Sequence, residues 1–405
     1  MIGLKGTIGA VQVLHVLTRS HRRGAELAAL ELTRELDALG YNNRVVALRL
    51  AADGGRVPEI PSLSERAELG PLSLAPSVRQ LRRLLASEPA DVVMGHGGWA
   101  TQVAVLSRRR DALPIVWQRI LGFPPGFWRS AQRRWWQLLV RRIDATVALT
   151  EELADEVRRL GFKGPIWTIA NSRRPGRFLD VDRDRAAIDL RREIGVANDI
   201  PLLGFVGHLV DQKRPERVLD VLACVRALGE QAHLVVVGDG PLRSRFEQEI
   251  RARGISEHVS MLGHRDDVER ILGGLDLMLL TSDAEGVPGV AIEAQMAGCP
   301  VVTFPVGGVS TVVDEGQTGI VLDRSDTKLM AARCADLLRD PEFRRVLSEE
   351  GRRRAPLLST NGTARTYASR LTELVEHRTP PATNGLRKSR KVENLVQKTH
   401  ERMTG

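Results

Sequence analysis

A single lysine stands where a glycine-rich loop meets a helix. The segment GFVGHLVDQKR, residues 204–214, is typical of a strand ending in glycines and a short loop, and a helix is predicted to begin near Pro215. Glycines let the backbone approach a ligand, and a helix N-terminus offers unpaired N–H groups that suit a phosphate. Lys213 is the only lysine between Lys163 and Lys328, which fits a point-charge donor to a diphosphate. A solvated lysine at a helix start is the alternative interpretation.

Two glutamates share a second loop and the helix that follows it. The segment TSDAEGVPGVAIEAQMAGCPVV, residues 281–302, predicts a strand end near Ser282, a loop that contains Glu285, and a helix to about Ala297. Glu293 falls early in that helix, so both carboxylates can line one cleft at its N-terminus. Carboxylates accept hydrogen bonds from the hydroxyls of sugars and ribose. Alternatively, Glu293 is a helix-start charge that the helix dipole favours.

Three other turns follow predicted strands and could carry polar chemistry. The segment PVGGVS contains Gly307 and Gly308 before a helix start, a geometry that can bind anions. Arg23 and Gly24 follow the first predicted strand, although a plain strand-to-helix turn is an equal interpretation. His96 lies in GHGG after another strand. It is a candidate for the acceptor side of a site, or a loop histidine with its own partners.

Short apolar, β-branched runs, each followed by a longer amphipathic stretch, must position these residues. Near-continuous apolar strands that alternate with helices indicate parallel sheets covered on both faces, and the number of runs in each half matches a doubly wound unit. The predicted strands are Val11–Leu17, Arg44–Leu50, Asp91–His96, Pro114–Gln118, Asp144–Thr150 and Pro165–Ala170, then Pro201–Gly207, His233–Gly238, Val259–Gly263, Asp276–Ser282, Pro300–Val306 and Gly319–Asp323.

The chain divides most naturally at a polar, charged stretch around residues 171–191, which Pro175 and Gly176 interrupt. We predict a domain of residues 1–180, a second domain of residues 181–377 that ends in closing helices, and a basic flexible tail of residues 378–405. Ligands of open α/β sheets bind beyond the carboxyl ends of the strands. Two such edges facing each other predict a deep site between the domains.

The composition is that of an ordinary globular protein with a basic surface. Of the 405 residues, 42% are hydrophobic, and the net charge of +9 suits anionic partners such as phosphates or anionic lipid. Three scattered cysteines predict neither a disulfide framework nor a metal cluster, and they fit a cytoplasmic protein. No run reaches the roughly 18 apolar residues of a membrane span. No nucleic-acid module is recognisable, so nucleic acid is not an expected partner.

One segment raises the question of membrane contact. Residues 127–142, FWRSAQRRWWQLLVRR, hold three of the six tryptophans among arginines. Helical spacing predicts that Trp128, Trp135, Leu138 and Leu139 share one side. This pattern suits an interfacial helix on anionic lipid, which would make the protein peripheral on the inner face of the membrane. A helix packed on the sheet, with its arginines in water, is the favoured alternative.

The motifs, taken in order, resemble the retaining glycosyltransferases of family 4. The pattern is G-x-x-G-x-L-x-x-x-K, then V-V-G-D-G-P, then E-G-x-P-x-x-x-x-E, then G-G, and it covers most of Pro201–Leu322. The first half matches more weakly, at Arg23–Glu26, Asp144–Thr150 and Ile169–Asn171. The resemblance implies the GT-B fold: two Rossmann-like doubly wound α/β domains that face an interdomain cleft, with acceptor binding in the first and nucleotide-sugar binding in the second.

The resemblance also implies a role for each matching residue. Lys213 would bind the donor diphosphate, Glu285 the donor sugar and Glu293 the ribose, and Lys213 and Glu285 would be the catalytic pair. Gly307 and Gly308 would lie near the phosphates. The full set of expected donor-binding residues is Gly207, His208, Lys213, Arg265, Glu285, Gly286, Val287, Pro288, Glu293, Gly307 and Gly308. Such enzymes use neither a metal nor another cofactor.

This chain departs from the family pattern at several positions. His208 stands where the family usually has an arginine as a second phosphate ligand, and Arg23 replaces the first glycine of a Gly-Gly pair. Where many members have a histidine after the fourth strand, this chain reads WQRI, so Arg119 is a candidate contact to donor or acceptor. Arg23, Gly24, His96 and Arg119 therefore form the expected acceptor or phosphate side.

The resemblance thus implies a retaining, metal-independent hexosyltransferase that acts in polysaccharide biosynthesis. By resemblance, the donor is a UDP-sugar, with GDP-mannose the next candidate, and the acceptor is a glycan or a lipid-linked sugar. Two alternatives remain at this point. One is an epimerase or phosphorylase of the same architecture, and the other is a non-catalytic nucleotide-sugar sensor or scaffold.

Overall fold

Two parallel sheets of six strands each organise the protein. The computed structural model describes residues 10–21, 24–51, 57, 60–65, 71–108 and 113–377, and every statement below concerns these residues. All twelve predicted strands are present, and all pair in parallel. The predicted doubly wound α/β fold is confirmed.

The first sheet and its helices occupy the first half of the chain. Its elements are β1 (Gln12–Arg19), α1 (Gly24–Ala38), β2 (Asn42–Arg49), α2 (Pro71–Ser87), β3 (Val92–His96), α3 (Gly97–Ser107), β4 (Ile115–Arg119), α4 (Ala131–Leu139), β5 (Ala145–Ala148), α5 (Glu151–Arg159) and β6 (Ile166–Thr168). Two short helices, α6 (Gly176–Leu179) and α7 (Arg183–Ile194), then lead toward the second sheet.

The second sheet follows the same alternation. Its elements are β7 (Leu202–Val206), α8 (Glu216–Ala227), β8 (His233–Val237), α9 (Arg243–Ala252), β9 (Val259–Gly263), α10 (Val268–Gly274), β10 (Leu277–Leu280), α11 (Gly289–Met296), β11 (Val301–Thr303) and β12 (Gly319–Val321), and then α12 (Thr327–Arg339), α13 (Pro341–Arg354) and α14 (Thr360–Glu376).

The strand order creates one crevice in each sheet. The first sheet is ordered β2-β1-β3-β4-β5-β6, and the second is ordered β12-β11-β10-β7-β8-β9. The order reverses between β1 and β3 in the first sheet and between β7 and β10 in the second. Ligands of such sheets bind beyond the strand ends at this switch point. The loops after β1, β3, β7 and β10 are therefore the places to look for a site.

The apolar strands are buried on both faces, as parallel sheets require. Strand β8 is buried along its whole length, and so are β3, β5 and β10. Several helix boundaries have local causes. Thr150 caps α5, Asp326 caps α12, and Gly195 ends α7 in a left-handed conformation.

An apolar seam joins the two halves. Ala148, Leu149 and Leu153, from the end of β5 and from α5, share one buried cluster with Val287 and Ile292 of the second half. The last helix crosses back, because Ala364, Tyr367 and Leu371 of α14 pack into the first sheet's core. The predicted division into residues 1–180 and 181–377 stays a prediction, and within it α14 belongs by its contacts to the first sheet. The predicted tail, 378–405, lies outside the described residues.

Candidate active site

Lys213 sits in a tightly constrained loop at the switch point of the second sheet. After β7, a 3₁₀ turn spans Asp211–Lys213, and α8 begins at Glu216. Arg214 between them adopts φ +49°, a conformation that residues other than glycine rarely take. Strain of this kind concentrates at functional sites, where the surroundings hold it in place.

Glu285 meets the lysine from the loop after β10. The Lys213 Nζ lies 2.6 Å from Glu285 Oε1, and the Ser282 hydroxyl donates to the same oxygen at 2.5 Å. The Glu285 side chain is only 6% exposed, whereas that of Lys213 is 25% exposed. The lysine thus neutralises a buried carboxylate and still presents part of its surface to solvent.

Hydrogen bonds to backbone carbonyls join the two loops on either side of this ion pair. The Asp283 N–H donates to the Gln212 carbonyl at 2.9 Å, and the Gln212 side-chain amide donates to the Ala284 carbonyl at 2.8 Å. The Thr281 hydroxyl donates to the Lys213 carbonyl at 3.2 Å. The position of the ammonium therefore depends on the loops after β7 and β10. These two strands are neighbours at the switch point, so their loops lie close enough to fix the lysine together.

The Gly-Gly turn closes the site from a third strand, β11. Gly307 has φ +53°, and a Cβ there would clash with the Glu285 carbonyl oxygen. The Gly308 N–H donates to the Gly286 carbonyl at 2.6 Å. Gly286 in turn lies against the backbone carbonyl of Ile120, from the first half, too closely for a side chain. Three backbone segments therefore meet beside Glu285.

Val287 and Pro288 form the approach to α11. Val287 is buried, and its carbonyl accepts a hydrogen bond from the Asn171 side chain at 3.2 Å. Pro288 has an extended backbone and precedes Gly289, the first residue of α11. Asn171 comes from the linker between the sheets, so the loop that carries Glu285 is fixed from both halves of the protein.

Glu293 lies one turn into α11, and its carboxylate is paired. The Arg173 Nε donates to Glu293 Oε1 at 2.7 Å, and the two side chains are 3% and 18% exposed. Sequence reasoning did not single out Arg173, because its segment NSRRP looks like a solvated linker. The only sequence signal is that it follows Asn171 by two residues.

Gly207 and His208 begin the loop after β7, as predicted. The Gly207 N–H donates to the Val237 carbonyl at 2.9 Å, so the loop runs beside the end of β8. Asp239 follows β8. Desolvation would raise its pKa, but hydrogen bonds from the Gly240 N–H and from Arg243, together with the charge of His208, hold the pKa of this carboxyl below its usual range.

Arg265 is occupied elsewhere in this structure. Its guanidinium makes paired hydrogen bonds to Asp267 at 2.8 Å and contacts Glu193 of α7 at 2.5 Å. These bonds, with Asp267 first and Glu193 second, raise the pKa of Arg265 further. The described contacts do not join Arg265 to the Lys213 cluster. The resemblance implies that the loop after Gly263 lies near the nucleotide base, and a contact from Arg265 to that base would compete with its bonds to Asp267 and Glu193.

The first half contributes Gly24 to the site, and Arg23 lies outside the described residues. Gly24 begins α1 after β1, and its carbonyl accepts a hydrogen bond from Arg173 Nη2 at 3.2 Å. The expected N-terminal glycine is thus near the residue that holds Glu293. Of the three described residues expected on this side, Gly24, His96 and Arg119, Gly24 is the one that these contacts join to the donor-side cluster.

His96 is part of a buried polar chain. Its Nε2 lies 3.0 Å from His15 Nδ1, and its Nδ1 lies 2.5 Å from the Gln118 side-chain oxygen. The Gln118 amide donates to the Tyr367 hydroxyl of α14 at 2.9 Å. Burial lowers the pKa of His15 to about 4 and that of His96 to about 3. Both ring nitrogens of His96 are bonded, and His96 orients Gln118, which bonds α14, so a contact from His96 to an acceptor would have to replace one of these bonds.

Arg119 is likewise engaged within the first half. Its Nη2 donates to Glu156 at 2.8 Å, and its guanidinium stacks on Phe123, 3.7 Å from the ring centroid. Burial lowers the pKa of Arg119, although its hydrogen bond to Glu156 and the charge of that carboxylate oppose this. Arg119 Nε is buried without a hydrogen-bond partner. The side chain shapes the loop whose Ile120 carbonyl touches Gly286.

The tryptophan-rich segment packs on the sheet, with a different buried face from the one predicted. Trp136 stacks on Trp117 with centroids 4.5 Å apart, and Leu139 is buried beside it. Trp135 and Leu138, predicted to share a side with Leu139, are 38% and 56% exposed. The 3₁₀ turn Val140–Arg142 ends this nine-residue helix and ties it to the sheet. No helix in the described part of the chain is long and apolar enough to cross a membrane.

Two family models match the chain, one in each half. Residues 187–354 match the model described as glycosyl transferases group 1, and residues 22–174 match that described as glycosyltransferase family 4. Together they cover both switch-point crevices and the linker up to residue 174.

Several curated proteins are similar to the chain. The D-inositol 3-phosphate glycosyltransferase of Saccharomonospora viridis is 31% identical over 323 residues, which is 73% of each chain. The alpha-D-kanosaminyltransferase of Streptomyces kanamyceticus is 30% identical over 54% of this chain and 56% of its own. The N-acetyl-alpha-D-glucosaminyl L-malate synthase of Bacillus anthracis is 30% identical over 53% and 55%. The chain thus spans about half the length of the last two relatives.

Solved structures share the fold at low sequence identity. Anabaena Alr3699/HepE in complex with UDP-glucose superposes with a TM-score of 0.73 and 20% identity, covering 89% of this chain and 99% of that one. Sucrose-phosphate synthase of Thermosynechococcus elongatus superposes with a TM-score of 0.76 and 16% identity, over 91% and 100%. At these identities the similarity concerns the architecture.

Proposed function

The chain belongs to the group 1 glycosyl transferases of family 4, with the GT-B fold, and we propose that it moves a sugar from a nucleoside diphosphate to a glycan or lipid-linked acceptor with retention of configuration. The observation that carries this proposal is the Lys213–Glu285 pair. A part-exposed ammonium and a buried carboxylate meet at the switch point of the second sheet, 2.6 Å apart. A cation there suits a diphosphate, and a carboxylate beside it suits the hydroxyls of the sugar.

Lys213 acts on the leaving group in this proposal. The bond between the anomeric carbon and the phosphate oxygen breaks while negative charge grows on the phosphate. A preorganised ammonium stabilises that charge, and loss of one such donor typically costs about 10²–10³ in rate. Because Glu285, which also accepts a hydrogen bond from Ser282, holds the ammonium before the donor arrives, little reorganisation is needed at the moment of reaction.

The Gly307 N–H and the start of α11 are the proposed backbone donors around the same point, since the Gly308 N–H is bonded to the Gly286 carbonyl. Gly307 and Gly308 bring β11 against the loop of Glu285, and α11 begins at Gly289. N–H groups at helix starts and in such turns attract phosphate oxygens. The proposed diphosphate lies between Lys213 and this turn, with the sugar against Glu285.

Glu293 is the proposed ribose acceptor. Arg173 uses its Oε1, and the side chain keeps 18% exposure, which leaves room for a ribose hydroxyl to donate to the carboxylate. A UDP-sugar is the proposed donor, with GDP-mannose the next candidate. Support comes from the fold shared with the Anabaena protein in complex with UDP-glucose.

Retention and independence of metal ions are part of the proposal. The acceptor hydroxyl attacks the anomeric carbon from the face that the phosphate leaves, and its proton passes to a phosphate oxygen. The new bond therefore forms on the same face as the old one. Closure of the two halves across the seam of Leu149 and Val287 would keep water from the donor during this step.

We propose that the exposed side of α4 rests on an anionic membrane on the cytoplasmic side, which favours a lipid-linked acceptor in polysaccharide biosynthesis. Trp135 and Leu138 are exposed there. The surrounding arginines, which are also exposed, are Arg133, Arg134, Arg141 and Arg142. Aromatic and apolar side chains ringed by arginines suit the boundary between lipid headgroups and acyl chains.

Vesicle sedimentation tests this surface. The protein should pellet with vesicles that contain phosphatidylglycerol and not with phosphatidylcholine alone, and Leu138→Ser should reduce the pelleted fraction. Leu228→Ser is the matched control, because Leu228 is 47% exposed at the end of α8. Equal pelleting by both variants would remove α4 from membrane contact.

Thermal-shift screening followed by a turnover assay tests the function. UDP, GDP and ADP and their sugar conjugates are compared, because a ligand of the native state raises the melting point by mass action. The stabilising sugar nucleotide is then incubated with glycan and lipid-linked acceptors, and release of the nucleoside diphosphate is followed. Binding without release would favour a sensor, and conversion of the sugar without an acceptor would favour an epimerase.

A further inference from the structure

Arg173 lies where the chain passes between the two sheets in both directions. Its N–H donates to the Leu358 carbonyl at 3.1 Å, and its carbonyl accepts from the Thr360 N–H at 3.1 Å. These bonds make a short parallel bridge between Arg173 and Ser359. The outgoing linker and the returning segment before α14 are therefore joined at this one residue, which fixes its backbone at the connection between the halves.

The Arg173 side chain spans both halves from that position. Its Nε donates to Glu293 of α11 at 2.7 Å, and its Nη2 donates to the Gly24 carbonyl at the start of α1 at 3.2 Å. Its Nη1 donates to the carbonyl of its neighbour Ser172 at 2.9 Å. All three nitrogens are used in a side chain that is 3% exposed, so the guanidinium has one defined orientation.

The chain leaves space for this guanidinium by omitting a side chain at Gly289. A Cβ at Gly289 would overlap the guanidinium itself. Gly289 is the first residue of α11, so the cation lies at a helix N-terminus, the end that the helix dipole makes unfavourable for positive charge. Glu293, four residues along the same helix, supplies the compensating carboxylate.

A second acid shows how much the local charge depends on Arg173. Glu31 of α1 is near both partners. Burial raises the pKa of its carboxyl, the charge of Arg173 lowers it, and the charge of Glu293 raises it. A buried ion pair is a weak source of stability, because apolar residues of similar volume often serve as well. Stability alone is therefore a weak explanation for Arg173, which lies between Glu293 and Glu31 at the proposed ribose site, and we look for a role in binding.

We propose that Arg173 is a positioning residue for donor binding. By holding Oε1 it fixes the Glu293 carboxylate for the ribose hydroxyls, and through Gly24 it couples that orientation to the approach of the first half. The inference rests on the proposed role of Glu293. The Arg173 side chain bonds to groups of the protein and not to the donor. Its replacement should therefore weaken only the part of donor affinity that comes from the ribose hydroxyls, which Glu293 is proposed to bind.

The test compares UDP with 2′,3′-dideoxy-UDP, which lacks the ribose hydroxyls, by titration calorimetry. The variants are Arg173→Lys and Arg173→Gln, and the matched control is Arg174→Gln, an adjacent arginine that is 58% exposed and pairs with Glu35. Wild-type protein and the control should prefer UDP by about 10-fold or more, as for a hydrogen bond to a charged group. Both Arg173 variants should lose most of this preference while binding dideoxy-UDP as wild type does.

The outcomes separate the inference from the function on which it rests. If wild-type protein binds both nucleotides without preference, the proposed ribose role of Glu293 is wrong. If it binds neither, the proposed UDP donor is wrong, and the same comparison with GDP and 2′,3′-dideoxy-GDP decides the role of Glu293. If wild-type protein prefers UDP and the folded Arg173 variants prefer it equally, the positioning role is wrong. If Arg173→Gln fails to fold, Arg173→Lys, which keeps the charge and loses the three-way geometry, decides the question.

Discussion

Replacement of Lys213 by methionine is the sharpest perturbation that the site offers. Methionine keeps the length and the apolar stem of the side chain and removes only the ammonium, which lies 2.6 Å from Glu285 Oε1. The ammonium is the group proposed to meet the leaving phosphate. The substitution therefore removes one electrostatic contact from the transition state while the loops after β7 and β10 keep their backbone hydrogen bonds.

Two magnitudes follow from the geometry. Loss of one preorganised donor costs about 10²–10³ in turnover, or about 3–4 kcal/mol in the barrier. The folded state loses less, because Glu285, 6% exposed, keeps the Ser282 hydroxyl as a partner. Leaving a buried group partly unsatisfied costs about 1–3 kcal/mol. Domains are stable by about 5–15 kcal/mol, so the variant should remain folded at 25 °C.

The assay is release of nucleoside diphosphate at saturating donor and acceptor. Lys163→Met is the matched control, because Lys163 is an exposed lysine of the first half, and it should retain wild-type turnover. Circular dichroism confirms that both variants are folded. If Lys213→Met turns over within about twofold of wild type, the reasoning that places the leaving phosphate beside this ammonium is refuted.

Three further predictions use the same site and its supports. Glu285→Gln should lower turnover more than nucleotide affinity, since the carboxylate is proposed to contact the sugar; calorimetry and turnover together measure this. Gly307→Ala should lower the urea midpoint more than Gly316→Ala, because both glycines have positive φ but only a Cβ at Gly307 meets a backbone carbonyl. The stability of the first half should fall from pH 6.5 down to about 4 for His15 and about 3 for His96, because these are the pKa values of the two histidines in the folded protein, whereas in the unfolded chain both take up protons near pH 6.5. At pH 5 the loss is about 2 kcal/mol per histidine, followed by tryptophan fluorescence in urea.

Each of these has a clear contrary result. A loss confined to nucleotide affinity would contradict the sugar contact of Glu285. Equal midpoints for the two alanine variants would show that the turn has room for a side chain. For the histidines, the comparison is with His96→Gln, whose midpoint should fall less between pH 7 and pH 5, and an identical fall would exclude the pair as the cause. The probe is selective because all six tryptophans lie between Trp99 and Trp167.

The fold could be predicted because parallel strands buried on both faces are continuous apolar runs. A run such as HLVVV, at His233–Val237, can be recognised as a buried strand from the sequence alone, without knowing which strands lie beside it. The loops of Lys213, Glu285 and Gly307 were predictable for a related reason. Each follows a strand directly, and the carboxyl ends of parallel strands share one edge of the sheet.

The contacts that cross the chain could not be predicted from spacing. His15 and His96 meet across 81 positions, and Arg173 meets Glu293 across 120. An arginine in a charged linker looks the same in sequence whether it is solvated or buried. Arg173 is buried because the chain returns beside it at Ser359, a contact that the sequence does not reveal.

The buried face of α4 was predicted wrongly for a local reason. Helical spacing favoured Trp128, Trp135 and Leu138 as one face, but a regular helix begins only at Ala131 and ends at Leu139. Trp128 lies in a separate 3₁₀ turn, where the Arg159 guanidinium covers its ring at 4.1 Å. With so short a helix, stacking of Trp136 on Trp117 sets which side faces the sheet.

The central claim is that one cleft holds the donor between Lys213 and helix α11. A crystal structure of the protein with a bound UDP-sugar tests it most directly. We expect the diphosphate within hydrogen-bond reach of the lysine Nζ, the sugar beside Glu285, and the ribose hydroxyls on Glu293. Nucleotide bound away from Lys213 and from the N-terminus of α11 would contradict the account.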